Sequence, residues 1–400
     1  MHETAPPDLR EGIDFWISPI QTPRSPVAVT IAIPAYQAEA TLGRAIESAL
    51  GQTMSDIEVI VADDRSSDSS WAQITGWLAR NPRIRALRNH RNCGKSAVMN
   101  CAARFARGRW LAVLDADDWY HPDRLSALVA AGEKSQADMV TDNQFHWDAA
   151  AKRMVGTAWP SGDADWELTL DGYLAGSDAY DSFNFGMLKP LVRTEFVRAT
   201  GLSYDEKSRH GEDFLYLLEF FLKGGKAVVC DAPLYFYTQP FGAVSRRWAD
   251  PARRRYDFQR VYEASRACLR DNAEFLTPRQ LRRLKTRTRR LKYLENYFRA
   301  KEAWQSGGPD ALLGRLLCHP FLLDYGLRQA FRRYVARSVP SNVQRVAQQC
   351  RSHSKRVPFP QQGTAAQAVV DLPSERKGDI GRLAQLDRER PRQGKRSGAR

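Results

Sequence analysis

The sequence predicts an α/β protein: a mostly parallel sheet flanked by helices, with a basic helical region after it. Three observations carry this. Between residues 27 and 119, short apolar runs alternate with stretches of helical spacing, the pattern of βαβ units with right-handed crossovers. Two of the apolar runs stop in clusters of Asp, at strand ends of the kind where open α/β sheets bind ligands. Past Pro251 the character changes to Leu, Phe and Tyr set among many Arg and Lys.

Residues 1–26 are rich in Pro and lack periodicity, and are expected to form a flexible lead-in. Residues 27–33 read as a buried strand closed by Pro34. Residues 41–52 place Leu42, Ala45, Ile46, Ala49 and Leu50 at helical spacing. The next strand, 57–62, runs into Asp63 and Asp64, and a helix follows over 70–79. A short strand at 84–87 precedes a helix over 96–106 and then the strand that begins at Trp110. Farther on, a helix is expected over 122–133 and a strand over 138–141, then an extended stretch over 185–192. Helices over 193–200, stopped by Gly201, and 212–223 come next, followed by two strands at 227–230 and 234–237. The domain organisation expected is a lead-in over 1–26, an α/β domain over 27–250, basic amphipathic helices over 251–340 and a largely disordered tail over 341–400.

Composition narrows the function. The 400-residue chain is 43% hydrophobic, which suits a globular protein, and its formal charge of +14 favours acidic partners such as nucleotides, nucleic acid or an anionic membrane face. The six cysteines are scattered without a C-x-x-C, which argues against a zinc site or a disulfide framework. No apolar run reaches the roughly 18 residues a bilayer span needs, and the first residues show no basic-then-apolar pattern, so a cytoplasmic location is expected. Nucleic-acid binding is disfavoured, because the basic residues of the last third interleave with Leu and Phe at helical spacing.

The run from Trp110 to Trp119 is the chemical centre of the sequence. Its strand stops in Asp115, Asp117 and Asp118, with Ala116 between. Crowded carboxylates repel unless a cation joins them, and Mg²⁺ or Mn²⁺ suits such oxygens when phosphate completes the shell. Alone, such a cluster also reads as a solvated turn capping the next helix. Asn92, Gly94, Lys95 and Asn100 flank a helix start, where backbone N–H groups favour anions and Lys95 could neutralise diphosphate. This is not a Walker A sequence. Glu212 and Asp213 open a helix, a common place for acids on dipole grounds alone.

Six segments stand in an order that resembles the family 2 glycosyltransferases of the GT-A fold, a Rossmann-like sheet, and within them the bacterial exopolysaccharide (succinoglycan-type) subgroup. They are Ile33 to Glu39, Val61 to Asp68, Asn92 to Lys95, Leu114 to Asp118, Gly211 to Asp213 and Gly242 to Arg247, all within roughly 27–250. The resemblance implies transfer of a sugar, with inversion, from a UDP-linked nucleotide sugar to a hydroxyl of a glycan or lipid-linked oligosaccharide, with Mn²⁺ or Mg²⁺ as cofactor. It puts Pro34, Ala35, Tyr36, Glu39, Asp63 and Asp64 at the nucleotide, with Asp64 favoured for the uracil N–H. It puts Gly94, Lys95 and Asn100 near the diphosphate, and Asp115, Ala116, Asp117 and Asp118 at ribose and metal. It makes Asp213 the general base, supported by Glu212 and His210, and lets Arg246 and Arg247 clamp phosphate from a closing loop. The Gln-x-x-Arg-Trp motif of processive members is not found, although Ser245-Arg246-Arg247-Trp248 occupies a similar late position, which favours addition of one sugar. The competing reading is an inactive GT-A-like scaffold. The basic helices of 251–340 are expected either to lie on an anionic membrane face or to pack on the catalytic domain.

Overall fold

The computed structural model describes residues 13–17, 26–162, 164–179, 183–208, 211–239, 258–318 and 342–353. Its centre is one 11-stranded mixed sheet. In chain order the first elements are β1 (Ile13–Ile17), β2 (Val29–Ala35), α1 (Leu42–Leu50), β3 (Ile57–Asp63), α2 (Ser70–Arg80), β4 (Ile84–Asn89), α3 (Lys95–Phe105) and β5 (Trp110–Val113). Strands β4, β3, β2 and β5 lie side by side and all parallel. Every residue of β3 is buried, as expected of a parallel strand covered on both faces. Side chains alternate between those faces. Val29, Ile31 and Ile33 meet Leu42, Ala45 and Ile46 of α1, while Ala32, Ile60 and Ala62 meet Val98 and Met99 of α3.

The second half continues the sheet less regularly. It comprises β6 (Trp119–Tyr120), α4 (Arg124–Ser135), β7 (Met139–Asp148), β8 (Arg153–Thr157), β9 (Trp166–Leu168), α5 (Leu170–Gly176), β10 (Leu191–Arg193), α6 (Thr194–Thr200), α7 (Glu212–Leu222) and β11 (Ala227–Gln239). Strand β10 lies between β5 and β7 and is antiparallel to both, so β7 and its parallel neighbour β11 point the same way as β5. The three last helices are α8 (Phe258–Asn272), α9 (Pro278–Cys318) and α10 (Asn342–His353).

Several expectations change. Within the lead-in, Ile13–Ile17 is a strand, antiparallel to β4. Pro34 does not close β2, which runs on to Ala35. The ladder with β5 ends at the Ala32–Val113 pair, so Pro34 faces the side where no N–H is needed. The stretch 185–192 is not extended throughout, because Phe185–Met187 forms a 3₁₀ turn capped by Asn184 before β10 begins. The two strands foreseen at 227–230 and 234–237 are one strand, bulged around Pro233. In the region expected as a tail, α10 buries Val343, Val346 and Ala347 in the same core as Leu168 and Tyr173.

The basic helices pack on the sheet domain. Val261, Leu276, Leu284, Leu291 and Leu294 are buried. Arg287 of α9 is buried too, with its guanidinium 3.3 Å from the Phe214 ring centre and its Nε donating to the Ser177 carbonyl at 3.1 Å. Arg283 and Gln280 reach Asp171, and Arg290 pairs with Asp178.

Candidate active site

The site lies where β5 ends, between the starts of α3 and α7. Both helices start behind a glycine in the left-handed region, Gly94 at φ 92° and Gly211 at φ 68°. Gly211 also has no room for a side chain, because a Cβ there would lie 2.9 Å from a methyl of Val261 on α8. These turns deliver Lys95 and the pair Glu212 and Asp213 to one place.

Two lysines and two aspartates form a closed square there. Lys95 Nζ is 2.9 Å from Asp115 Oδ1 and 3.1 Å from Asp213 Oδ2. Lys189 Nζ is 2.8 Å from Asp115 Oδ2 and 2.7 Å from Asp213 Oδ2. Asp213 Oδ1 is buried and has no hydrogen-bond partner among the described residues. Burial alone would raise the Asp115 carboxyl, but the ammonium groups of Lys189 and Lys95 outweigh it and hold Asp115 well below the usual range. The lysines are in turn held charged, against burial, by Asp115 and Asp213. Glu212 stands at the edge, 3.9 Å from Lys95, and burial together with the Asp213 charge pushes it up to about 7.

The turn Asp115 to Asp118 is braced by β11. The Tyr235 hydroxyl donates to Asp118 Oδ2 at 2.7 Å and accepts the Asp115 N–H at 3.2 Å. The Thr238 N–H donates to Asp118 Oδ1 at 2.8 Å. The Asp117 carbonyl accepts from Arg44 and from the Thr238 hydroxyl, at 2.8 and 2.6 Å. Burial, then the charges of Asp117 and Asp115, push Asp118 well up.

The three carboxylates expected at the metal are engaged differently from one another. Among the described residues no group of three His, Cys, Asp or Glu side chains could hold an ion. Asp115 is already neutralised by two ammonium groups, and Asp118 is buried as a bracket for β11.

Other expected contacts are taken up inside the protein. Asp64 accepts the N–H groups of Cys93 and Gly94 at 2.8 and 2.7 Å and the Asn89 amide at 2.8 Å. The start of α3 thus carries its own anion, and the Gly94 N–H is not open to a diphosphate. Asp63 is fully buried, accepts the Ser66 N–H and pairs with Arg88 at 3.1 Å. Glu39 accepts the Ser69 N–H at 3.0 Å, at the start of α2. Asn100 is bonded to both backbone groups of Tyr204. Pro34, Ala35 and half-buried Tyr36 sit at the end of β2, and Ala116 is buried within its turn. His210, Arg246 and Arg247 lie outside the described residues.

Lys189 was not foreseen. Its signal in the sequence is a single charge inside the apolar run Phe185-Gly186-Met187-Leu188-Lys189-Pro190-Leu191-Val192. Nor were its supports. Arg124 is fully buried, donates to Asp142 through two nitrogens at 2.8 and 2.9 Å, and holds the Lys189 carbonyl at 2.5 Å.

Comparison with known proteins bears on the family and the fold. A family-wide sequence profile described as glycosyl transferase family 2 matches residues 30–187. The succinoglycan biosynthesis protein ExoO of Rhizobium meliloti is 34% identical over 221 residues, 54% of this chain, and the match spans only 62% of its own length. ExoU of the same organism is 30% identical over 253 residues, covering 62% of this chain and 71% of that protein. Among solved structures, that of S. aureus TarS 1-349 in complex with UDP-GlcNAc superposes with a TM-score of 0.51 over 73% of each chain, at 17% identity, and places the sheet in the GT-A fold. The chain belongs to glycosyl transferase family 2.

Proposed function

We propose that the protein transfers one sugar from a nucleotide sugar, UDP-linked, to a hydroxyl of a glycan or lipid-linked oligosaccharide in the synthesis of an exopolysaccharide or surface polysaccharide. The observation that carries this reading is Asp213, whose Oδ2 is held by Lys95 and Lys189 while Oδ1 has no hydrogen-bond partner among the described residues. A carboxylate held through one oxygen by two ammonium groups keeps its second oxygen in a fixed position, suited to take the proton of an acceptor hydroxyl. Attack by the acceptor's oxygen on the anomeric carbon, opposite the leaving diphosphate and with its proton passing to Asp213, inverts the configuration there. Lys95, the more exposed of the two ammonium groups, supplies positive charge toward the diphosphate. Asp117 would hold a divalent cation, which when bound would supply Lewis-acid stabilisation to the departing nucleoside diphosphate.

The test is a screen of nucleotide sugars for Mn²⁺-dependent release of nucleoside diphosphate, with a membrane lipid extract as acceptor source. Asp213→Asn should retain UDP binding by calorimetry and lose turnover by about 10²–10⁴-fold, the usual worth of a general base. Near wild-type turnover in that variant would place the base elsewhere. Asp117→Asn should remove the Mn²⁺ dependence of UDP binding, and an unchanged metal response would sink the metal assignment.

A second reading concerns place, at the inner face of the cytoplasmic membrane. Arg282, Lys285, Arg289 and Lys292 are exposed along α9 while Leu284, Leu291 and Leu294 are buried. Among the described residues no helix is long and apolar enough to cross a membrane. Each such cation near an anionic surface is worth roughly 1 kcal/mol. Co-sedimentation with anionic vesicles should fall with salt and on charge reversal at Arg282, Lys285 and Arg289. Equal binding to neutral vesicles, or none at low salt, would defeat it.

A further inference from the structure

We propose that Lys189 is a positioning residue that straps Asp213 to Asp115 and stays in place when Lys95 turns to the donor's diphosphate; this rests on the reading of Asp213 as the base. Both lysines bridge the same two carboxylates, yet they are built differently. The Lys95 side chain is 24% exposed and sits on the first residue of α3, at the rim. The Lys189 side chain is 5% exposed. Its backbone is fixed twice. Pro190 restricts the conformation of the residue before it. Arg124 donates to the Lys189 carbonyl at 2.5 Å, while its own fork is locked on Asp142.

The asymmetry has a chemical consequence. A diphosphate entering beside Asp115 competes with both carboxylates for ammonium groups. If both lysines left, Asp213 would lose every partner of Oδ2 and swing with its side-chain torsions. The buried lysine cannot follow the anion without leaving its cavity and dragging a clamped backbone. One ammonium is therefore exchangeable and the other is structural to the base. Arg124 and Asp142, far from any reacting atom, act through it.

The experiment compares Lys95→Met with Lys189→Met, using UDP with Mn²⁺ in calorimetry and nucleoside diphosphate release in steady-state kinetics. Lys95→Met should weaken UDP by about tenfold or more, as expected when one charged partner of a phosphate is lost. Lys189→Met should leave UDP affinity within about twofold and lower kcat on the order of 10²-fold, the cost of misplacing a catalytic group by about 1 Å. Lys189→Arg, which restores the charge, should recover part of kcat. If Lys189→Met does not fold, Lys189→Gln replaces it. Loss of UDP affinity in the Lys189 variants equal to that in Lys95→Met, or an unchanged kcat, overturns the strap. Asp213→Asn run alongside separates the two ideas. Full turnover there refutes the base, whereas an inactive Asp213→Asn beside a fully active Lys189→Met refutes the strap alone.

Discussion

On the β2–β3 side of the site, loops are tied to one another by bonds between side chains and backbone. Gln37 N–H donates to Ser66 Oγ, Ala38 N–H to Ser70 Oγ and Glu39 N–H to Asp68, all within 3.1 Å. Asp64 does the same for the start of α3. On the α7 side, position comes from charge and stacking over long sequence separations: Lys95 and Lys189 on Asp213, Arg124 behind Lys189, and Arg287 of α9 under Phe214. The first arrangement is nearly indifferent to an incoming anion, since its donors and acceptors are matched. The second can re-pair, because an ammonium group has no fixed direction and will take whichever oxygen is offered. A site that binds an anion on one side and deprotonates a hydroxyl on the other has use for both.

This contrast can be broken in graded steps. Arg124→Met, which leaves Asp142 buried and unpaired, should cost roughly 3–5 kcal/mol in denaturant unfolding. A loss below about 1 kcal/mol would mean that the pair is not part of the frame. Leu284→Ala in α9 should cost roughly 2–5 kcal/mol, because the residue is fully buried and leaves a cavity. A near-zero change would return α9 to the status of an appendage. Asp64→Asn, on the neutral side, should cost roughly 1–3 kcal/mol through impaired bonding of the Cys93 and Gly94 N–H groups. Its salt dependence should be small.

The smallest effect is a slope. Glu212 is pushed up to about 7 in the folded protein from an ordinary 4.5. The native state therefore binds more protons than the unfolded state between those values, and stability contributed by Glu212 falls as pH rises through that window. Thermal unfolding of wild type against Glu212→Gln should show the wild type falling progressively below the variant from pH 5 to pH 8. A parallel pair of curves would show that Glu212 titrates normally.

How much of this the sequence revealed follows the same division. The βαβ half was legible because period and strand-end residues are local signals: Ile57 to Ala62 reads as a strand from its own composition. Asp115, Lys95 and Asp213 stood out for the same reason, each ending or opening an element. The partners were not legible. That Asp64 is consumed by Cys93 and Gly94, and Asn100 by Tyr204, depends on where the backbone of another loop lies. Lys189 meets Asp115 only because β10 inserts beside β5. The leucines of α9 gave a helix and a stripe, but a stripe does not say whether it faces lipid or Phe214.

The reversed strand β10 also dictates a timetable for the growing chain. Residues 110–113 and 139–148 become neighbours in one sheet only through residues 191–193. While residues 26–148 are emerging from the ribosome, the parallel block can form, but β7 has no strand to join and both flanking edges stay open. The gap closes only after some forty more residues have followed β7, and Lys189, two positions before β10, arrives with the closing strand. Sequence-distant pairing of this kind is slow, and exposed edges meanwhile invite wrong partners. Assembly of the ionic square thus waits first on β10, which brings Lys189, and then on α7, which brings Asp213, so that a nascent chain that has not bridged its sheet has no base in position either.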